Sequence, residues 1–246
     1  MVERVRPTCI LHLAAPVSLS TDKTTRARLR VGIVDATIAI AEAAAAHGVP
    51  LVHISSCAVY EGGAAPFSED QALRPSSPYG QLKLEAEDEV RARMAQGLVA
   101  TVLRPFRTYG PGCTSGLVAE ACRAALRGEP LDLTAGTQVR EWNHVKSIAS
   151  GIIWAAQARP AGAVLNLGGG DRVGVADLAA RIFTLAEVPE DRIRRGALPD
   201  RAGETTRFWG DHRRTESLRG PLPRVDLDTG LEQTLDWHRT QLRSAR

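Results

Sequence analysis

No stretch of this 246-residue chain approaches a membrane-spanning run, which takes roughly 18 consecutive apolar residues. The opening Met1-Val2-Glu3-Arg4-Val5-Arg6 lacks the apolar core of a signal peptide. Cysteine is scarce. Cys9, Cys57, Cys113 and Cys122 form no C-x-x-C pair and keep no regular spacing, which argues against a zinc site and a disulfide framework and points to a reducing, cytoplasmic setting. Neither sign of charge dominates: 31 Lys+Arg against 28 Asp+Glu leave +3, and the basic residues are scattered. A nucleic-acid partner therefore has little support, while a small anionic ligand stays open. Internal repeats and low-complexity tracts are also lacking. What remains, 43% hydrophobic and 24% charged residues, is ordinary for a globular protein able to bury a sizeable core.

The apolar pattern predicts a doubly wound α/β fold. Residues 8–13 form a nearly continuous apolar run, as a doubly buried parallel strand requires. Residues 24–47 read as a helix, with Leu29, Ile33, Ala36, Ile40 and Ala44 on one stripe and Gly48 at the C-cap. A strand at 50–55 follows, then a Gly/Pro/Ser-rich loop at 61–78. A helix at 79–95 carries Leu82, Ala86 and Val90 on one face and stops at Gly97, before a strand at 98–103. Strand, helix, strand at these spacings implies right-handed crossovers and a parallel sheet. Beyond Pro111 the pattern loosens: helices at 117–127, 145–157, 175–186 and 229–243, strands near 131, 140–144 and 163–167, and an Arg/Gly/Pro-rich tail at 192–223. The expected organisation is a partial dinucleotide-binding domain at 1–112, joined again by 140–167, and a smaller mixed α/β substrate-binding lobe at 113–139 and 168–246.

Tyr79 and Lys83 stand four apart on a predicted helix, hence on one face and about 6 Å apart along the axis. A phenol of ordinary pKa ~10 is a poor base at neutral pH, and a nearby ammonium favours its phenolate, making it usable for proton transfer at an alcohol or ketone. The plain alternative is a Tyr and a Lys on a solvated face. The strand at 50–55 ends in Ser55-Ser56, at the carboxyl edge where ligands bind in parallel sheets, so a serine there can hold a substrate oxygen.

In this setting His12-Leu13-Ala14-Ala15, Leu51-Val52-His53-Ile54-Ser55-Ser56-Cys57-Ala58-Val59-Tyr60, Ser77-Pro78-Tyr79-Gly80-Gln81-Leu82-Lys83 and Leu103-Arg104-Pro105-Phe106-Arg107-Thr108-Tyr109-Gly110 resemble, in order and spacing, the motifs of the extended short-chain dehydrogenase/reductases. These are the NAD-dependent sugar epimerase/dehydratase family. The resemblance implies a Rossmann-like sheet, NAD or NADP held near Ala14, Ala15, Ser55, Tyr79, Lys83 and Pro105, and a catalytic set of Ser56, Tyr79 and Lys83. Tyr79 would be the acid/base, Lys83 would lower its pKa and bind the nicotinamide ribose, and Ser56 would bond the sugar oxygen. It further implies a nucleotide-sugar substrate, with Arg140 (Arg140-Glu141-Trp142-Asn143-His144-Val145) and Arg201 (Arg201-Ala202-Gly203-Glu204) on the diphosphate, and a homodimer through the helices at 24–47 and 79–95 as a four-helix bundle. No metal is implied.

Departures from the family refine the expectation. Dehydratases of the family carry an Asp-Glu pair after the catalytic Ser/Thr, where this chain has Cys57 and Ala58, which disfavours elimination; Cys57 itself reads as a small packing residue. Ile33 stands where an Asn is usual. Arg107 replaces an Asn and offers a cation to a carboxylate or phosphate of the substrate, and Lys146-Ser147 replaces an acidic pair. The Gly-x-x-Gly-x-x-Gly turn that cradles a cofactor pyrophosphate does not occur, and Gly168-Gly169-Gly170 and Gly110-Pro111-Gly112 read as turns. Matched to the family, Met1 falls inside the helix before the fourth strand, so the chain is expected to be N-terminally truncated, with its first strand an exposed sheet edge. The leading expectation is an NAD(P)-dependent nucleotide-sugar epimerase of the 4-epimerase type. The alternatives are an NAD(P)H-dependent keto-sugar reductase and a non-catalytic nucleotide-sugar binder that has lost the cofactor half.

Overall fold

A computed structural model describes residues 2–17, 22–60, 64–200 and 203–244. In chain order the helices are α1 (Val2–Val5), α2 (Lys23–Arg30), α3 (Ala36–Ala46), α4 (Pro78–Met94), α5 (Leu117–Arg127), α6 (Val145–Ala158), α7 (Val175–Leu185), α8 (Arg213–Arg219) and α9 (Leu227–Ser244). The strands are β1 (Ile10–His12), β2 (Leu51–Ile54), β3 (Ala100–Pro105), β4 (Thr108–Tyr109), β5 (Leu131–Asp132), β6 (Val139–His144), β7 (Val164–Leu167), β8 (Asp171–Gly174), β9 (Ile193–Arg194) and β10 (Arg207–Phe208).

The first sheet is parallel throughout, in the order β1-β2-β3-β7. Because successive side chains point to opposite faces of a strand, Leu51, Ala100 and Val102 pack with Ala41, Ala44 and Val90 of α3 and α4 on one side. Val52, Leu103, Leu165 and Leu167 pack with Ile148, Ile152 and Ala155 of α6 on the other. Helices on both faces make this the doubly wound architecture that the pattern predicts, and β1, paired to β2 alone among the described residues, forms its edge. A second sheet runs β10-β6-β4, with β8 antiparallel to β6, and β5 pairs with β9. A separate core joins α5, α7 and α9 through Val118, Cys122, Leu178, Ile182, Phe183, Leu231 and Leu235.

Three local features place the site. The helix expected at 24–47 is interrupted at Val31–Asp35 by a π turn, with Ile33 and Val34 buried. There Gly32 lies so close to the loop after β1 that a Cβ would stand 2.6 Å from Pro16; such bulges often accompany functional sites. Helix α4 begins as capping chemistry prescribes, with Ser77 accepting from the Gly80 amide at 3.1 Å and Pro78 in the first turn. Its buried stripe is Leu82, Ala86 and Val90, with Lys83 and Glu87 buried beside it. The tail at 192–223 is more regular than its composition predicts: β9, β10 and α8 arise in it, and β8 precedes it, each too short to leave a periodic signal.

Candidate active site

The carboxyl ends of β1, β2 and β3 open into a cavity of about 710 Å³, within the range of small-molecule sites. Its walls come from Leu13, Ala15 and Val17 after β1, from Ile54 to Ala58 after β2, from Pro105 to Thr108 at the end of β3, from Tyr79 and Lys83 on α4, and from Arg140, Gly203, Glu204, Thr205 and Phe208. Such a crevice is where parallel α/β sheets bind ligands, because helix N-termini and loops converge at that edge.

Ser56, Tyr79 and Lys83, far apart in the chain, meet here. The Ser56 side chain hydrogen-bonds the Tyr79 phenol and accepts from the Ala58 amide at 3.1 Å. The Lys83 Nζ lies 6.0 Å from the centre of the Tyr79 ring and donates to the Ile54 carbonyl at 2.8 Å. Only 4% of Lys83 is exposed, and burial brings its pKa down to about 8. Tyr79 differs from expectation. Its pKa is raised, because burial of the ring against Leu29, Ile33 and Leu82 outweighs the bond from Ser56. The ammonium is turned to a backbone carbonyl rather than to the phenol oxygen, so here it does not bring the phenol down.

Ala15, Ser55 and Pro105 line the cavity as expected, whereas Ala14 is exposed and does not. The Ser55 hydroxyl is committed elsewhere: it donates to Glu87 at 2.9 Å. Glu87, fully buried, also receives Arg104 through Nε at 3.0 Å and through Nη2, and Arg91 at 2.5 Å. Arg104 in turn donates to the Tyr60 hydroxyl at 2.6 Å, and Tyr60 to Asn166 at 2.8 Å. This buried chain ties α4, β2, β3 and β7 together directly behind the Ser56, Tyr79 and Lys83 cluster.

Both described arginine candidates reach the cavity, in different states. Arg140 is buried and donates to Glu204 at 2.7 Å and to the carbonyls of Val139 and Thr206. Arg107 is exposed, its guanidinium 6.0 Å from the centre of the Trp142 ring. Arg201 lies outside the described residues. Sequence reasoning did not single out Glu204, Thr205 or Phe208 as lining residues; Glu204 adjoins the quoted Arg201 segment, but Thr205 and Phe208 carry no local signal. Glu204 divides its carboxylate between Arg140 and the Gln138 amide, the latter at 3.2 Å. No group of three or more His, Cys, Asp or Glu among the described residues is placed to hold a metal.

Comparison with known proteins identifies the family and agrees with the fold. The family model described as NAD dependent epimerase/dehydratase family matches residues 1–168. A dTDP-glucose 4,6-dehydratase of Streptomyces griseus is 31% identical over 212 residues, covering 83% of this chain and 63% of that protein; the chain thus spans under two thirds of this relative's length. A UDP-glucose 4-epimerase of Mycolicibacterium smegmatis is 27% identical over 250 residues, covering 98% of this chain and 79% of its own. Among solved structures, MoeE5 in complex with UDP-glucuronic acid and NAD superimposes with a TM-score of 0.87 at 32% identity, over 96% of this chain and 80% of that one. With the parallel sheet, the motif order and the matched family model in agreement, the chain belongs to the NAD dependent epimerase/dehydratase family.

Proposed function

We propose that this chain carries the reaction centre of an NAD(P)-dependent nucleotide-sugar epimerase of the 4-epimerase type. The observation that carries the reading is the meeting of Ser56, Tyr79 and Lys83 in one cavity that offers no unengaged carboxylate among its described residues. Dehydration needs an acid or base to remove a second substituent, and the one described carboxylate there, Glu204, is taken up by Arg140 and Gln138. Proton transfer at a single hydroxyl needs only the phenol.

Ser56 positions the reacting sugar oxygen and Tyr79 takes and returns its proton. The nicotinamide end of the cofactor fits the wall formed by Ala15, Ile54, Ser55 and Pro105, apolar apart from one serine, with Lys83 beside it. When bound, NAD(P) supplies reversible oxidation of the sugar carbon. Arg140, whose pKa is lowered by burial and by Arg107, stays a cation in reach of an anionic substrate. We assign the cofactor wall to the domain at 1–112 with 140–167, and the sugar side to 113–139 and 168–246. A homodimer through α2, α3 and α4, in the cytoplasm, completes the reading; none of the four cysteines is in a disulfide.

The test is incubation with NAD and UDP- or dTDP-glucose, followed by NMR of the anomeric protons. Appearance of the 4-epimer without net change in reduced cofactor supports the epimerase. Consumption of reduced cofactor on a keto-sugar supports the reductase instead. Tyr79→Phe is expected to lower turnover about 10²- to 10⁴-fold with sugar binding retained; unchanged turnover removes Tyr79 from the reaction.

A further inference from the structure

Among the described residues, the charged groups lining the cavity are three cations, Lys83, Arg107 and Arg140, and one carboxylate, Glu204. Their states are unequal. Arg140 is paired with Glu204 and donates to two backbone carbonyls. Lys83 is buried and bonded to the Ile54 carbonyl. Arg107 alone presents an exposed guanidinium that makes no hydrogen bond or ion pair with a described residue.

Its position is nevertheless built. Two donors of one residue, the amide and the side-chain nitrogen of Asn143, converge on the Arg107 carbonyl at 2.8 and 3.2 Å, which pins its backbone to β6. The buried Trp142 ring flanks the guanidinium. The neighbouring Arg140 makes the spot electrostatically unfavourable for a second cation unless an anion joins them, and this repulsion adds to burial in lowering the proton affinity of Arg140. A planar fork held at its base, with no counter-charge among the described residues and facing a ligand cavity, is the arrangement that recognises a carboxylate or phosphate.

We propose that Arg107 is a specificity-determining residue that receives an anionic group of the substrate, either a carboxylate on the sugar ring or the diphosphate of the nucleotide. The assignment rests on the nucleotide-sugar reading above. A charge-assisted bond is strong enough that its loss weakens binding by about tenfold or more. Lysine keeps the charge but not the fork, so it restores binding only in part.

Calorimetric affinities of the unaltered chain, Arg107→Asn and Arg107→Lys for UDP-glucuronic acid, UDP-glucose and UDP test the assignment without requiring turnover. A loss of about tenfold in Arg107→Asn confined to UDP-glucuronic acid, partly restored in Arg107→Lys, assigns the residue to a sugar carboxylate. An equal loss for all three probes assigns it to the diphosphate. Equal affinities in the unaltered chain and Arg107→Asn overturn the role of Arg107 and leave the function reading standing. Failure of the unaltered chain to bind any probe overturns that reading and this assignment with it. Thermal unfolding of Arg107→Asn serves as the control, and an unchanged midpoint is expected for this exposed side chain.

Discussion

His53 has surroundings at odds with its own preferences. It sits on β2 facing α3 and α4, is fully buried, and neither ring nitrogen has a partner among the described residues. Burial, then the positive charge of Lys83 and the His12 ring, bring its pKa from 6.5 down to about 3. His12, hydrogen-bonded to Thr37 at 3.1 Å, is lowered for the same leading reason. The unfolded chain therefore takes up a proton near pH 6.5 that the folded chain refuses until far lower. Stability present above pH 6.5 is lost progressively as pH falls towards 3, by about 2 kcal/mol at pH 5 from His53 alone. Replacing His53 with Phe, apolar and similarly broad, is expected to flatten this acid limb in urea unfolding between pH 4 and 8. An acid limb as steep as that of the unaltered chain would show that His53 is not its source.

Helix α4 works as one element because its inner face carries function and anchorage a turn apart. Tyr79, Lys83 and Glu87 follow at intervals of four, so the first two reach the cavity while the third is locked to Arg104 and Ser55. Close approach at its start is equally strict, since a Cβ on Gly80 would meet the Ala58 carbonyl oxygen at 2.5 Å. Glu87→Ala leaves the fully buried Arg104 charge without its counter-ion, and a broken buried pair costs about 3–5 kcal/mol. Pairing Arg104→Met with Glu87→Leu is expected to recover part of that, because no buried charge is then left alone. Urea midpoints of the single and double variants read the difference, and a Glu87→Ala cost below about 1 kcal/mol would refute the anchoring role.

At the scale of the molecule, buried polar residues hold the layers in register. Asn166 on β7 donates to the carbonyls of Phe67 and Asp211, accepts from Tyr60 and Thr215, and gives its amide to Glu69. Glu141 on β6 accepts from the amides of Gly169 and Gly210 and pairs with His212 at 3.0 Å. Burial opposes a charged His212, but the bond and charge of Glu141 prevail and raise its pKa. The outer surface of α2 and α3 is less settled: Val31 is 61% exposed at their junction. If these helices and α4 form the proposed homodimer, light scattering gives twice the 26.4 kDa of one chain. Val31→Glu, by putting a charge into that interface, then shifts the mass toward one chain. A mass of 26.4 kDa for the unaltered chain would dismiss the dimer.

Local pattern in the amino-acid sequence determined the alternation of strands and helices, the parallel sheet, the caps of α4 and the shared face of Tyr79 and Lys83. Each depends on neighbours within a turn or a pleat, and period and capping chemistry act at that range. Only the tertiary structure decided what distant residues do together. Glu204 reaches Arg140 from 64 positions away, Lys83 turns to the Ile54 carbonyl instead of the phenol, and β10 pairs with β6 in a tail that reads as irregular. The π turn at Val31–Asp35 likewise coincides with the approach of Pro16 to Gly32, a contact between segments that no local pattern encodes. The physical reason is common to all of these: a buried polar group takes whichever partner the packed layers bring within reach, and that choice is made by the whole core at once.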